Sequence, residues 1–407
     1  MSIKLTKIVR FIIIVLLLQF FLGLNFRIYS QYPSDSAQIT LLTASPGPEI
    51  YELYGHSAIR IFDLSKGIDL VYNYGVFDFD TPNFALKFTN GKLMYQLAKA
   101  SFERFLNSYE QTGQTMFEQQ LNLTNHEKWQ LITKLETNYK PENRYYRYDF
   151  FHDNCATRIR DIIAKSVDGK IAYDSSYIKK PESFRDLIIT YQKVDPWLDF
   201  GTHLLIGSDA DSIAKVSDYM FLPEHMMKIY ANTKIINSGT IRPLAQPPAE
   251  ILPGTYKPKP PSPFTSPLVV MCVVFIIVLG ISFVGYRRQK HYRFIDQFIL
   301  LLTGLVGLMI LLVWIGSAHE VLSRNYNIIW ANPLSLVFAI FLFSKSRPRW
   351  FTMASLVYGL LLTAFIIISF FIRQEIPAAA YPIIGILIVR MVKIGLVSKK
   401  NNIPAFR

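Results

Sequence analysis

Two side chains in this sequence have the type and setting for nucleophilic chemistry. Cys155 stands in the run Phe151, His152, Asp153, Asn154, Cys155, Ala156, Thr157, Arg158. The pattern predicts a helix from Asn154 to about residue 167, with Asp153 or Asn154 as cap and Gly169 as stop. A cysteine at the first turn of a helix faces unpaired backbone N–H groups and the positive end of the dipole, which favour a thiolate. A structural cysteine gains nothing from that position, although a buried, inert thiol is the alternative for a lone cysteine. Arg158 adds positive potential if its side chain turns back. The second cysteine, Cys272, lies inside an apolar run, so the pair predicts no disulfide framework.

A thiolate nucleophile needs a base. His56 follows Gly55 at the start of a predicted strand, where a sheet presents polar groups at its rim. A helix-start cysteine facing a strand-borne histidine is the layout of papain-like enzymes. Asn73, on the next strand, falls within a residue or two of the position opposite His56, and its amide oxygen is suited to orient the imidazole. Asp78 and Asp80 are weaker alternatives. The oxyanion of an acyl-transfer step would meet the Cys155 N–H and a second donor. Asn154 is a candidate for that donor, although its position suits a helix cap equally well. Tyr54 and Arg60 flank His56 as candidates for supporting or substrate contacts. His152 and Asp153 adjoin the cysteine in the preceding turn, His126 falls in a helix cap, and His203 and His225 lack ligand-like spacing. No His/Cys/Asp/Glu cluster predicts a metal site, and no cofactor is expected.

The elements that would position these groups belong to a mixed α/β stretch over about 36–240. Strands are predicted at 38–43, 57–63 and 69–74, with Ser65, Lys66 and Gly67 as a hairpin turn. Thr124 and Glu127 have capping-box spacing before a helical run. Residues 31–242 form the expected catalytic domain. The prolines between 243 and 267 predict an extended, semi-rigid linker, and 268–407 a membrane domain. Its five expected spans are 268–286, 295–318, 328–344, 351–372 and 378–397. Residues 1–30 read as a signal peptide or an N-terminal anchor.

The formal net charge of +13 first suggests an acidic partner. Its distribution excludes a nucleic-acid surface. Residues 31–266 hold 25 Lys and Arg against 27 Asp and Glu, whereas the flanking stretches hold 18 against 3. Basic residues beside apolar segments are the signature of cytoplasmic loops. Those loops follow the first, third and fifth spans, so the polar domain is expected outside and the C-terminus in the cytoplasm. His319, Asn325, Asn327 and Asn332 mark an outward loop, as headgroup contacts or interfacial anchors. Arg390 and Lys393 are expected to snorkel to the cytoplasmic face.

Three segments, 54–57 (Tyr-Gly-His-Ser), 72–79 (Tyr-Asn-Tyr-Gly-Val-Phe-Asp-Phe) and 153–158 (Asp-Asn-Cys-Ala-Thr-Arg), together resemble the Lnb family. These are membrane lipoprotein N-acyltransferases with an N-terminal periplasmic domain and a C-terminal membrane domain. The order of histidine before cysteine also resembles circularly permuted members of the NlpC/P60 papain-like group. The resemblance implies an α+β papain-like (permuted NlpC/P60-like) periplasmic domain followed by an all-α transmembrane bundle of about five helices. It implies Cys155 as nucleophile and His56 as base in a bacterial inner-membrane enzyme. The acyl donor would be a membrane phospholipid and the acceptor a lipoprotein N-terminus. Permuted members often use a second histidine as third residue. The second strand here offers none, so Asn73 rests on its own placement. A membrane-anchored cysteine peptidase or amidase acting on cell-wall peptide, and a non-enzymatic receptor or assembly factor, are the alternatives.

Overall fold

The structure, a computed structural model, describes residues 33–344 and 348–401. The expected export segment 1–30 lies outside them, as do Lys345, Arg347, Arg407 and the side chains of Arg349, Lys399 and Lys400, basic residues that follow the expected third and fifth spans. The N-terminal domain runs β1 (Gln38–Ala44), β2 (His56–Asp63), β3 (Ile68–Val76), α1 (Phe84–Thr89), β4 (Met94–Ser101), α2 (Phe102–Thr112), β5 (Met116–Gln120), α3 (Asn125–Tyr139), β6 (Tyr145–Arg147) and α4 (Cys155–Ala164). It continues through β7 (Lys170–Ala172), α5 (Phe184–Gln192), α6 (Pro196–Leu205), α7 (Val216–Tyr219), α8 (Pro223–Tyr230), β8 (Lys234–Asn237), β9 (Thr240–Pro243) and β10 (Ala249–Leu252).

Seven strands form one antiparallel sheet in the order β10-β5-β1-β2-β3-β4-β6, and β7-β8-β9 form a small second sheet. The expected hairpin closes through a turn in which the Asp63 carboxylate accepts from the Ser65 and Lys66 amides, with Gly67 left-handed at φ 63°. Strand alternation divides the core in two. Ile39, Leu41, Ile59, Ile61, Tyr72 and Tyr74 face the helices α3, α4, α5 and α8, while Leu42, Ala58, Val71 and Met116 face Phe105 of α2. The central strands are therefore buried on both faces. The capping box of α3 is present, with Glu127 accepting from the Thr124 amide at 2.8 Å. The same buried carboxylate accepts from Arg242 of β9, which ties the small sheet to α3.

The proline-rich segment is not a free spacer over its whole length. Leu244 and Ala245 are buried, β10 pairs with β5, and the Thr255 and Tyr256 amides both donate to the Gly113 carbonyl. Only the stretch after Tyr256 bridges to the helices beyond.

The C-terminal part is helical: α9 (Pro267–Arg287), α10 (Arg293–Gly316), α11 (Ser335–Phe341), α12 (Arg349–Ile368) and α13 (Ala380–Asn401). Among the described residues, three helices, α9, α10 and α12, are long and apolar enough to cross a membrane. The segment expected as the third span, 328–344, is instead a short turn over Tyr326–Ile329 followed by the seven-residue α11. Pro333 breaks it, because a proline cannot donate to a continuous helix. Arg390 does not snorkel. It is buried, donating to Asp296 of α10 and, at 2.9 Å, to Ser282 of α9. A guanidinium in an apolar bundle is stable only when its donors find such partners.

The two parts are joined by hydrogen bonds to backbone. Asn325 and Asn327 do not face headgroups. Both are fully buried, and their amides donate to the His203, Leu204 and Leu205 carbonyls at the open end of α6. Gln374 donates to the Asn325 side chain at 3.0 Å and accepts from the Tyr326 amide at 2.7 Å. Nearby, the Gly207 amide donates to the Val321 carbonyl, so the two backbones approach closely. A Cβ at Gly207 would fall 1.7 Å from the Ser323 carbonyl oxygen. Gly207→Ala should therefore destabilise the docking of the two parts by about 1–3 kcal/mol. The check is thermal unfolding of the detergent-solubilised protein together with proteolysis near residue 207; an unchanged melting temperature and cleavage rate would contradict this packing.

Candidate active site

The side chains expected to carry chemistry meet at the rim of the large sheet, where β2 begins. His56 is the first residue of β2 and pairs with Ala44, the last of β1. Continuing the β2–β3 register beyond Ile59 and Tyr72 places Gly75 opposite His56, with Asn73 on the diagonal. The Asn73 Oδ1 accepts from His56 Nε2 at 2.5 Å, which assigns the proton to Nε2 and leaves Nδ1 for the thiol. The Cys155 sulfur lies within hydrogen-bonding reach of the His56 ring and of the Ser57 and Ala156 amides.

Cys155 occupies the first turn of α4, as its sequence setting predicts, and is buried, with 6% of its surface exposed. The local structure fixes it tightly. Asn154 caps α4: its Oδ1 accepts from the Ala156 and Thr157 amides at 2.9 and 2.8 Å, and its Nδ2 donates to the Phe150 and Phe221 carbonyls at 2.8 Å each. Both amide hydrogens are thus engaged, so Asn154 is not an oxyanion donor. A cap of this kind contributes about 1 kcal/mol.

The sequence reading passed over Gly75. It has φ 90° at a bulge where the β3–β4 register shifts between Asn73 and Val76. A Cβ there would lie 3.3 Å from Cys155 Cβ, 3.7 Å from His56 Cε1 and 3.8 Å from a Tyr148 ring carbon. The thiol, the imidazole and Tyr148 therefore converge on the space that a side chain at position 75 would occupy. The signal was present: a glycine inside a strand often marks a close approach. Glu52, in the turn before β2, and Tyr109, of α2, were also missed, because they reach the site only through the fold.

Electrostatics favour charge separation. Burial pushes the Cys155 thiol up, but the His56 charge and hydrogen bond, with the Ser57 and Ala156 amides, outweigh it and hold the thiol below its ordinary value. Burial disfavours the His56 imidazolium, yet the Cys155 charge, the bonds to Cys155 and Asn73, and the Glu52 charge hold it above its ordinary value. The pair can rest as thiolate and imidazolium, the form suited to attack on an ester or amide carbonyl.

Other candidates lie elsewhere. Arg158 does not turn toward the thiol; it forms a bidentate pair with Asp153 at 2.6 and 2.7 Å and stacks 3.5 Å over Tyr146. Arg60 pairs with Asp69 and Glu118 further along β2. The Tyr54 hydroxyl accepts from Gln192 at 2.7 Å, and its ring packs on Phe150, so it supports the turn before Cys155. His319 lies 3.3 Å from the Phe88 carbonyl at the end of α1. His152 is exposed against Phe184, and Asp78 and Asp80 lie in an exposed turn. His126 pairs with Asp168 on the surface. Burial lowers the pKa of both His203 and His225 to about 4.

Residues 26–190 match the family model described as the Lnb N-terminal periplasmic domain, and residues 259–402 match the one described as the Lnb transmembrane domain. No curated protein and no solved structure matches the chain. The two matches give an inner-membrane protein with a periplasmic domain preceding its membrane helices.

Alkylation of Cys155 by iodoacetamide, followed against pH, should rise through a midpoint below the free-cysteine value of about 8.5, since the thiol is lowered and the histidine raised. In His56→Ala the opposing burial is left unbalanced and the midpoint should move upward. A parent midpoint at or above the free value would refute the ion pair.

Proposed function

Because the chain belongs to the Lnb family, with its periplasmic and transmembrane domains in that order, we propose that it is a lipoprotein N-acyltransferase with Cys155 as nucleophile and His56 as base. The family points to lipoprotein maturation. The observation that carries the chemistry is the thiol–imidazole pair held at a sheet rim, with Asn73 fixing the ring. In the first half-reaction the Cys155 thiolate attacks the ester carbonyl of a membrane phospholipid. The ester C–O bond breaks, the His56 imidazolium gives its proton to the departing lysophospholipid oxygen, and a thioester remains. In the second, the α-amino group of a diacylglyceryl-cysteine lipoprotein attacks that thioester. His56 takes the amine proton, the C–S bond breaks, and an amide forms. The amide is more stable than the thioester, which drives the transfer. The oxyanion faces the Cys155 N–H at the positive end of α4. The periplasmic part is read as a permuted papain-like domain over 31–242, followed by the segment 243–267.

The placement of the site supports a lipid substrate over a soluble one. Loops of the membrane part hold the domain at α6 and, through Ser317 and Ala318, at the end of α1. Both substrates are confined to the outer leaflet, so such tethering raises their effective concentration at the thiol. We read the membrane part as five crossings, the third broken at Pro333, which returns the C-terminus to the cytoplasm.

The test uses full-length protein reconstituted with phospholipid, with and without a diacylated lipopeptide. The expected result is an acyl thioester on Cys155 that passes to the peptide amine. Cys155→Ala should abolish it, His56→Ala should slow it by about 10²–10⁴-fold, and Asn73→Ala by less. Cleavage of a cell-wall peptide instead would favour a peptidase, and absence of any covalent adduct would favour a non-enzymatic role.

A further inference from the structure

Between the active site and the membrane helices lies a surface that the acyl-transfer step does not explain. The segment after Gly75 carries Phe77, Phe79, Phe84, Leu86 and Phe88, and the turn before His56 adds Tyr51. Tyr51, Phe79, Leu86 and Phe88 are 56, 59, 61 and 53% exposed. So much exposed aromatic surface in one place is costly in water and marks a contact with something apolar.

Two observations identify what that is. First, the end of α1 is fastened to the end of a membrane-spanning helix. Directly after α10 stops at Gly316, the Ser317 hydroxyl donates to the Thr89 carbonyl at 2.9 Å and the Ala318 amide to the Asn90 carbonyl at 3.0 Å. The helix α10 must leave the hydrocarbon near its end, so α1 lies at the level of the outer-leaflet interface, where aromatic side chains are favoured. Second, the rings are continuous from there to the thiol. Phe88 stacks on Phe84 with ring centres 6.2 Å apart, Phe84 lies tilted against Phe77 at 5.8 Å, Phe77 meets Tyr95 edge-on at 5.2 Å, and Tyr95 stacks on Tyr148 at 4.4 Å. Tyr148 is the residue that converges with Cys155 and His56 on the space beside Gly75.

We propose that this aromatic track, entered at Leu86 and Phe88 from the outer leaflet, is the path along which one acyl chain of a membrane phospholipid leaves the bilayer and brings its ester to Cys155. The outer part of the track, at Phe79, Leu86 and Phe88, presents exposed apolar faces, so a chain lifted onto it exchanges lipid contacts for ring contacts rather than for water. The destination rests on the acyl-transfer reading, whereas the lipid occupant does not.

The experiment uses full-length protein carrying Cys155→Ser in vesicles of phosphatidylethanolamine and phosphatidylglycerol. A fraction of the phosphatidylethanolamine bears a diazirine near the end of one acyl chain. After irradiation, peptide mapping should find adducts within 77–95 and at Tyr148 as well as in α9. Leu86→Asp together with Phe88→Asp should lower the track adducts by about tenfold, the loss of burial of one such side chain, and leave those in α9 unchanged. Both positions are half exposed, so the core does not depend on them. Adducts confined to the membrane helices, or track adducts indifferent to the two aspartates, would overturn the proposal. The unsubstituted protein in the same vesicles, assayed for a Cys155 thioester, separates the two readings. Track labelling without thioester would end the acyl-transfer reading and keep the lipid path, while thioester without track labelling would do the reverse.

Discussion

The attraction between the Cys155 sulfur and the His56 imidazole works only where both groups are held in surroundings drier than solvent. The surrounding structure answers that requirement piece by piece. Backbone amides of Ser57 and Ala156 meet the sulfur, so the charge is compensated by groups that cannot move away. Asn73 holds one ring nitrogen and leaves the other for the thiol. Gly75 contributes the absence of a side chain, and the bulge in β3 supplies the left-handed backbone this needs. Asn154 makes four hydrogen bonds with one amide, which fixes the start of α4 against the loop at Phe221.

The membrane domain contributes orientation more than anchorage. Its contacts with the periplasmic domain include Asn325 and Asn327, whose amides satisfy carbonyls at the end of α6, and Gln374, which donates to the Asn325 side chain. Polar groups buried in this way are poor sources of net stability but demand one geometry, because a shifted docking leaves each of them unpaired. From α6 the connection continues inward. Gln192 donates both to Thr202 of that helix and to the Tyr54 hydroxyl, two residues before His56. The histidine is therefore held on one side by the sheet and on the other by a line of hydrogen bonds that ends at the membrane helices.

Much of this was legible in the sequence because it depends on local rules. Helix-start preferences placed Cys155 at the first turn of α4, alternation and the Ser65–Gly67 turn gave the β2–β3 hairpin, and that hairpin brought Asn73 toward His56. Hydropathy and the uneven charge gave a polar domain followed by membrane helices. What the sequence could not reveal involves distance along the chain. The partners of Arg60 and Arg158, the burial of Asn325 and Asn327, and the pairing of Arg390 with Asp296 all depend on which surfaces meet. The same holds for the proline-rich segment, part of which adds an edge strand to the sheet.

By itself, then, the sequence determined the identity of the reacting groups and the elements that bear them, because spacing along a helix or hairpin obeys fixed periods. Only the tertiary structure decided that α4 begins against the rim of β2, that Gly75 opens room for the thiol, and that α1 meets the end of α10. Such contacts between residues far apart in the chain follow from packing and mutual hydrogen-bond satisfaction over the whole fold, which no local pattern encodes.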